Sequence, residues 1–274
     1  MPADTPLTVG QKLKLSFTRR RRGTGFWYGL AIALLWPPTV YGPRLSWRGG
    51  EHIPREGGVL LAANHVSFAD PIYNVAFATA HGRVPRFLAK SELWKVPGVR
   101  SVMSGGRHVP VYRQSARAAD AFRGAIEAIN RGEVVVFYPE STYTADPDGW
   151  PMKGKNGIGR IALVTRAPVI PVANWGTQDL VPPGKGPRPF PRKRVTVVAG
   201  PPVDLSEWLG GPRTRKALDG VTAAIMADIT TLVADIRGEA PPAVPFDPDA
   251  PVAPPPATDP IEEPADPQAP RPAG

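Results

Sequence analysis

The sequence predicts a single α/β domain with a central, mostly parallel sheet flanked by helices. Short apolar runs rich in β-branched residues, such as 134–138, are typical of strands buried on both faces. Segments with helical spacing of apolar residues, such as 213–237, separate several of these runs. Strands that alternate with helices are characteristic of parallel sheets, and 274 residues suffice for one sizeable domain of this kind.

The N-terminal segment, residues 1–44, is basic and apolar, and we expect it to form helices that associate with a membrane. Asp4 is the only acid before residue 51, whereas four arginines occupy 19–22. The apolar run 26–36 has aromatic residues at both ends, and Pro37-Pro38 predict its end. The run is shorter than the roughly 20 residues of a spanning helix, and its basic flank suits an interfacial helix on anionic lipid. A signal peptide and an ordinary buried first helix are alternatives.

The α/β domain is predicted to span residues 45–238, where strand and helix patterns alternate. Within 45–63, two strand patterns flank a Gly-Gly turn. The later strand patterns are at 84–90, 108–113, 134–138, 169–173 and 195–199. The helix patterns are at 71–80, 91–94, 116–131, 155–166 and 213–237.

The remaining segment, 239–274, is predicted to be a disordered tail. It is rich in proline, alanine and acids, so it cannot bury enough apolar surface to offset its ordering entropy. It contains seven acidic residues and one arginine, which leaves the rest of a chain of net charge +9 strongly basic. A basic body favours anionic partners, namely phospholipid surfaces, nucleic acid or phosphorylated substrates, and composition does not choose among them.

Several classes of site are disfavoured by what the sequence lacks. The absence of cysteine excludes disulfides, thiolate nucleophiles and thiolate metal sites. The four histidines have no paired spacing, so no metal site is predicted. No G-x-S-x-G elbow is present, and no G-x-G-x-x-G follows a strand pattern, which disfavours a serine hydrolase and a dinucleotide-binding protein.

The sequence Asn64-His65 directly follows the buried strand pattern at 58–63. Open α/β sheets bind ligands at the carboxyl ends of their strands, so His65 is predicted at that edge. Five residues later, Asp70-Pro71 begins a helix pattern, which allows the carboxylate to turn back to the imidazole. A histidine held in one tautomer by an acid can take a proton from a hydroxyl near neutral pH. His65 and Asp70 are therefore the candidate catalytic pair, although taken alone they also fit a core histidine and a helix cap.

Polar and cationic residues follow other strand patterns at the same predicted edge. A carboxylate and two hydroxyls follow the strand at 134–138, and an arginine follows the strand at 108–112. Lysines occupy a glycine-rich loop at 150–160, and cations beside glycines at a helix start suit a bound phosphate. The candidate substrate-binding residues are Asn64, Arg113, Glu140, Ser141, Thr142, Lys153 and Lys155.

Four motifs, in this order, resemble those of the glycerolipid acyltransferase family, whose best-known members are the 1-acylglycerol-3-phosphate acyltransferases. The motif N-H-x-x-x-x-D is met by residues 64–70. The motif G-x-I-x-V-x-R is matched by residues 107–113, with Arg107 where glycine is usual. F-P-E-G-T-R corresponds to 138–143, and a V-I-P-V strand is present at 169–172.

This resemblance, which covers about residues 45–205, implies acyl transfer from acyl-CoA or acyl carrier protein to the free hydroxyl of lysophosphatidic acid, without a cofactor or metal. His65 would deprotonate the acceptor hydroxyl, and Asp70 would orient the ring. Arg113, Glu140 and the lysines of the glycine-rich loop would hold the acceptor. The family also implies phospholipid biosynthesis by a peripheral or monotopic protein at the cytoplasmic face of the cell membrane.

One departure from the family pattern leaves the acceptor open. Tyr143 replaces an arginine that grips the acceptor's phosphate in the family, and tyrosine has no charge at neutral pH. Lysophosphatidic acid is the first expectation, and another lysophospholipid or a glycolipid is the alternative. A non-catalytic basic membrane-associated protein and a thioester hydrolase are the rival functions. Nucleic-acid binding is disfavoured, because the cations are not interleaved with exposed aromatics along one surface.

Overall fold

The computed structural model describes residues 5–19, 23–112 and 118–250, and within these ranges eight α-helices, two short 3₁₀ helices (Gly50–His52 and Ser91–Lys95) and seven strands are present. The helices are α1 (Val9–Thr18), α2 (Phe26–Tyr41), α3 (Asp70–Ala80), α4 (Val99–Gly105), α5 (Ala118–Asn130), α6 (Gly157–Thr165), α7 (Thr177–Leu180) and α8 (Arg215–Arg237). The strands are β1 (Arg44–Arg48), β2 (Val59–Ala63), β3 (Pro85–Lys90), β4 (Val109–Val111), β5 (Val134–Phe137), β6 (Val169–Trp175) and β7 (Arg194–Ala199).

The strands of the described residues form a single sheet in the order β1-β7-β6-β2-β5-β3-β4. Every neighbouring pair is parallel except β6 and β7. The central strand β2 places Leu61 opposite Val136 on one side and opposite Ile170 on the other. The predicted α/β fold with a mostly parallel sheet is therefore confirmed.

The two faces of the sheet carry separate apolar cores, because side chains alternate along each strand. Leu61 of β2 packs in the core that α2 and α3 cover, together with Trp36 and Phe77. Leu60 packs in the core on the opposite face, which α5, α6 and α8 cover. A strand buried on both faces has no polar side, which explains the continuous apolar run of β2.

Helix α2 continues through Pro37 and Pro38 to Tyr41, so the predicted end at the two prolines is wrong. Its buried apolar side chains recur one helical turn apart and pack against the sheet and neighbouring helices; they are Tyr28, Ile32, Trp36 and Val40. This tertiary packing offsets the two backbone hydrogen bonds that the prolines cannot donate. The opposite face of α2 remains apolar and exposed, with Phe26 and Leu34 among its residues.

Helix α8 is the one helix among the described residues whose length and apolar composition would allow it to cross a membrane. Its stripe of Val221, Ile225, Ile229 and Val233 is fully buried. This stripe packs against the face of the sheet that α5 and α6 also cover, so α8 is a core helix of the α/β domain.

The first part of the predicted tail, residues 239–250, contains no helix or strand but is hydrogen bonded to the body. The backbone N–H of Lys153 donates to the carbonyl of Phe246 at 2.8 Å. The ammonium of Lys153 lies 2.8 Å from the carboxylate of Asp247. The prediction of disorder for residues 251–274 lies outside the described residues.

Candidate active site

The loop after β2 brings His65 to the carboxyl edge of the sheet, beside Asn64. Asn64 is fully buried, and its side-chain Nδ2 donates to the carbonyl of Asn174 at 3.0 Å. Its Oδ1 accepts from the backbone N–H of Asn174 at 2.7 Å. Asn64 therefore joins β2 to β6 instead of facing a ligand, which corrects the substrate-binding role expected for it.

The carboxylate of Asp70 turns back from the start of α3 to the imidazole of His65, as predicted. One oxygen, Oδ2, accepts from His65 Nδ1 at 2.9 Å and from the backbone N–H groups of Val66 and Ser67 at 2.7 and 2.8 Å. Because a carboxylate only accepts, Nδ1 is assigned the proton and Nε2 keeps its lone pair. His65 is thus held in the tautomer that a general base requires.

A buried threonine completes the environment of Asp70. The second carboxylate oxygen, Oδ1, accepts from the hydroxyl of Thr177 at 2.5 Å, and neither side chain is exposed to solvent. Sequence reasoning missed this residue. It begins α7 two residues after the end of β6, so the rule that placed His65 at the carboxyl edge would also have placed Thr177 there.

Two tyrosines pack against the imidazole. The ring of Tyr138 stacks on His65 with centroids 4.2 Å apart and an interplanar angle of 19°. The ring of Tyr143 lies 4.2 Å from His65 on a tilted plane and also contacts Phe68 at 4.5 Å. Burial, aided by the charge of Asp70, raises the pKa of Tyr143 to about 12, so this side chain is neutral at physiological pH. Tyr143 therefore supplies an aromatic contact where the family pattern has a cation.

Glu140 holds the backbone around His65. Its carboxylate is buried and accepts from the backbone N–H of His65 at 2.8 Å and from that of Met152 at 3.1 Å. Burial raises the pKa of the Glu140 carboxyl to about 8, against the lowering effect of these two donors. Each oxygen accepts one backbone hydrogen bond, and Glu140 also lines a cavity beside His65, so the expected contact of Glu140 with the acceptor stays a prediction.

The other predicted binding residues divide between the cavity and a contact with the tail. Ser141, Thr142 and Lys155 line a cavity beside His65. Ser141 has a left-handed backbone conformation, with φ of 64°. Lys153 instead pairs with Asp247, so the two lysines of the glycine-rich loop have different surroundings.

The second sequence motif is described only as far as Tyr112, because Arg113 lies outside the described residues. Arg107 occupies the position where the family has glycine, and its φ of 50° lies in the left-handed region that favours glycine. Its guanidinium lies 2.8 Å from the carboxylate of Glu133.

The cavity beside His65 has a volume of about 840 Å³ and walls that are mostly apolar. Helices α2, α3 and α4 contribute Leu35, Val75 and Met103, and the ends of β3 and β5 form the opposite wall. Lys90, at the end of β3, adds an exposed cation that sequence reasoning did not single out. A largely apolar cavity with a few polar groups at one place suits a fatty acyl chain whose reactive end lies at His65.

The wall formed by α2 contains a buried aromatic pair. The rings of Tyr28 and His108 meet edge to face with centroids 4.9 Å apart. Burial lowers the pKa of His108 to about 4, and its Nδ1 accepts from the backbone N–H of Phe87 at 3.1 Å. His108 is therefore a neutral part of the wall. Among the described residues, no cluster of histidine and acidic side chains is arranged to hold a metal ion.

Comparison with known proteins relates this arrangement to acyl transfer. Residues 44–175 match the family model described as Acyltransferase. The chain is 29% identical over 182 residues to a chloroplastic 1-acyl-sn-glycerol-3-phosphate acyltransferase of Brassica napus, covering 65% of this chain and 50% of the relative. It is 29% identical over 140 residues to a 1-acyl-sn-glycerol-3-phosphate acyltransferase of Borreliella burgdorferi, covering 50% of this chain and 54% of the relative. The chain thus spans about half the length of these curated relatives.

A solved structure is also similar. The crystal structure of the 1-acyl-sn-glycerophosphate (LPA) acyltransferase PlsC from Thermotoga maritima superposes with a TM-score of 0.53 and 28% sequence identity. The similarity covers 82% of this chain and 88% of that one. It therefore extends well beyond the segment that the family model matches.

Proposed function

We propose that this chain is a member of the acyltransferase family and transfers a fatty acyl group from an acyl thioester to the free hydroxyl of 1-acylglycerol-3-phosphate (lysophosphatidic acid). The product would be phosphatidic acid, an intermediate of phospholipid biosynthesis. The observation that carries this proposal is the hydrogen-bonded pair of His65 and Asp70 at the wall of an apolar cavity. The pair supplies a base, and the cavity beside it supplies a place for an acyl chain.

In the proposed reaction, Nε2 of His65 takes the proton of the acceptor hydroxyl as its oxygen attacks the thioester carbonyl. The new C–O ester bond forms, the C–S bond breaks, and the proton passes from the imidazolium to the departing thiolate. The buried carboxylate of Asp70 stabilises the imidazolium, and Thr177 and two backbone N–H groups hold that carboxylate in place. Transfer is direct, so the enzyme itself is not acylated.

Glu140 and the tyrosines are proposed to position the base. Glu140 fixes the backbone of His65 relative to Met152, and Tyr138 stacks on the imidazole from one side. A ring restrained by packing and by a buried acid loses little freedom when the substrates bind. This restraint makes Glu140 a positioning residue in the proposed mechanism.

The acceptor's phosphate is proposed to lie near Lys155 and Lys90, because both cations line the cavity. Lys153 is less suited, since Asp247 already neutralises it. A different lysophospholipid or a glycolipid is the second candidate acceptor. It is favoured by one observation, namely that Tyr143 packs on His65 where the family pattern supplies a cation.

The donor is proposed to be acyl-CoA or acyl carrier protein, and the protein is proposed to act on the cytoplasmic face of the membrane. Support for membrane association comes from exposed apolar side chains on neighbouring α1 and α2; they are Val9, Leu13, Phe17, Phe26, Trp27 and Leu34. Such an apolar surface, with Lys14 exposed on α1, suits the headgroup region of an anionic bilayer.

The test is an assay of the purified protein with labelled acyl-CoA, or the acyl carrier protein thioester, and a panel of acceptors. Labelled phosphatidic acid from lysophosphatidic acid is expected, with slower use of lysophosphatidylcholine and monoacylglycerol. Equal use of phosphate-free acceptors would contradict the choice of acceptor. Release of free fatty acid without any lipid product would favour a thioester hydrolase, and inactivity with every pair would contradict the proposed function.

A further inference from the structure

A basic loop, residues 183–193, joins α7 to β7. Four of its eleven residues are cations: Lys185, Arg188, Arg192 and Lys193. No acidic residue occurs between Asp179 and Asp204, so nothing in the local sequence offsets this charge. Phe190 lies between Arg188 and Arg192 in the sequence and is 81% exposed. The loop therefore presents a large aromatic ring and a dense positive charge to solvent.

The fold places the basic loop at the catalytic edge of the sheet. Because β7 runs antiparallel to β6, the chain enters β7 at the edge where the parallel strands end. The segment before the basic loop is joined to the loop after β2 that carries His65, since the hydroxyl of Ser67 donates to the carbonyl of Val181 at 2.7 Å. The end of the loop is joined to α2, since Arg192 donates to the carbonyls of Tyr41 and Gly42, both at 2.8 Å.

The surroundings of the loop suit contact with a membrane surface better than the binding of a small ligand. Small anionic ligands bind in concave sites, whereas residues 183–192 are all exposed. Within the part of the chain that the structure describes, the side chains of Lys185 and Arg188 have no ion-pair or hydrogen-bond partner. Aromatic rings beside unpaired cations match the headgroup region of a bilayer, where the ring enters the interface and the cations meet lipid phosphates.

We propose that the basic loop is a second membrane contact, which binds anionic phospholipid headgroups through Lys185 and Arg188 and inserts Phe190 into the interface. The inference rests on the proposed function insofar as α1 and α2 supply the first contact. Arg192 connects the two contacts directly through the end of α2. With both contacts engaged, the carboxyl edge that carries His65 faces the bilayer, from which the lysophospholipid acceptor would enter.

The test measures sedimentation of the full-length protein with vesicles of phosphatidylcholine alone and of phosphatidylcholine with 30 mol% phosphatidylglycerol. Each cation at an anionic surface contributes about fivefold in partitioning, so K185Q/R188Q should bind the anionic vesicles about 25-fold more weakly. Its binding to pure phosphatidylcholine should not change. Phe190→Ser should weaken binding to both kinds of vesicle about tenfold, because the ring contributes apolar burial.

The matched control is R213Q/K216Q, which removes two exposed cations at the start of α8. We expect its vesicle binding to change less than about twofold, because α8 covers the face of the sheet opposite α2 and charges away from the contact are screened. An equal loss for this control, or unchanged binding of K185Q/R188Q, would overturn the inference. Normal vesicle binding together with a raised KM for acyl-CoA would assign the loop to the soluble donor, which also overturns it.

Vesicle binding is measured without catalysis, so this result is independent of the acyl transfer proposed above. A protein that sediments as expected but forms no lipid product would contradict the proposed function and leave the membrane contact of the loop supported. An active protein whose loop variants bind vesicles normally would support the proposed acyl transfer and overturn the membrane contact of the loop.

Discussion

Replacing Asp70 by asparagine removes one negative charge beside His65 and keeps the size of the side chain. The buried carboxylate accepts four hydrogen bonds, one of them from His65 Nδ1 at 2.9 Å. Asparagine retains an oxygen that can face the imidazole, and the hydroxyl of Thr177 can turn to accept from the new amide. We therefore expect Asp70→Asn to fold while failing to stabilise the imidazolium.

The size of the effect follows from the lost attraction between the imidazolium and the carboxylate. Two unit charges about 4 Å apart attract by about 4 kcal/mol at an effective dielectric constant of about 20. If this energy is present only once the proton has moved to His65, its loss lowers kcat about 10³-fold. The free energy of unfolding should fall by only about 1–3 kcal/mol, because hydrogen bonds to a charged acceptor become bonds to a neutral one.

The assay is kcat for phosphatidic acid formation at saturating donor and acceptor, with circular dichroism melting to establish folding. The matched control is Thr177→Val, which keeps the charge of Asp70 and removes one hydrogen bond. A loss of one such bond should lower kcat about 10-fold, well short of the effect of Asp70→Asn. A folded Asp70→Asn variant with kcat within tenfold of the wild type would refute the role of the carboxylate.

Three further predictions concern other groups of the site. Burial raises the pKa of Glu140 to about 8 from 4.5, so the folded protein holds this proton more tightly than the unfolded chain does. The free energy of unfolding of the wild type should therefore fall as pH rises from about 4.5 to 8, by up to about 1.4 kcal/mol per pH unit relative to Glu140→Gln. Denaturant titrations of both proteins across this pH range measure the difference. Met103→Trp fills part of the cavity, so acyl-CoA competition should show a shift toward shorter chains, and an unchanged chain-length profile would place the acyl group elsewhere. Lys155→Gln should raise the KM for lysophosphatidic acid about tenfold, whereas Lys153→Gln should not, because Asp247 already pairs with Lys153; equal effects would contradict the assignment.

The position of the site could be predicted from the sequence because parallel strands end at a common edge. The apolar run of β2 is recognisable from composition, and His65 is the second residue after it. The contact with Asp70 is local, five residues along the chain, so a short turn into α3 suffices to make it. The local sequence pattern and the geometry of a parallel sheet therefore suffice to predict the positions of His65 and Asp70.

The roles of the other polar residues could not be predicted, because distant parts of the chain decide them. Asn64 is paired with Asn174, 110 residues away, and Lys153 with Asp247, 94 residues away. A polar residue at a strand end has the same sequence signature whether it faces a ligand or a neighbouring backbone. For the same reason, Pro37 and Pro38 predict a helix end that the packing of Trp36 and Val40 overrides.

The most direct measurement of the central claim is single-turnover acyl transfer from labelled acyl-CoA by His65→Ala, compared with His52→Ala. His52 lies outside the cavity, with its ring 3.0 Å from the carbonyl of Ala199, so its variant should transfer at the wild-type rate. We predict that folded His65→Ala loses at least about 10³-fold in rate, as expected for removal of a general base. A folded His65→Ala protein that transfers acyl groups within tenfold of the wild-type rate would contradict the assignment of this imidazole as the base.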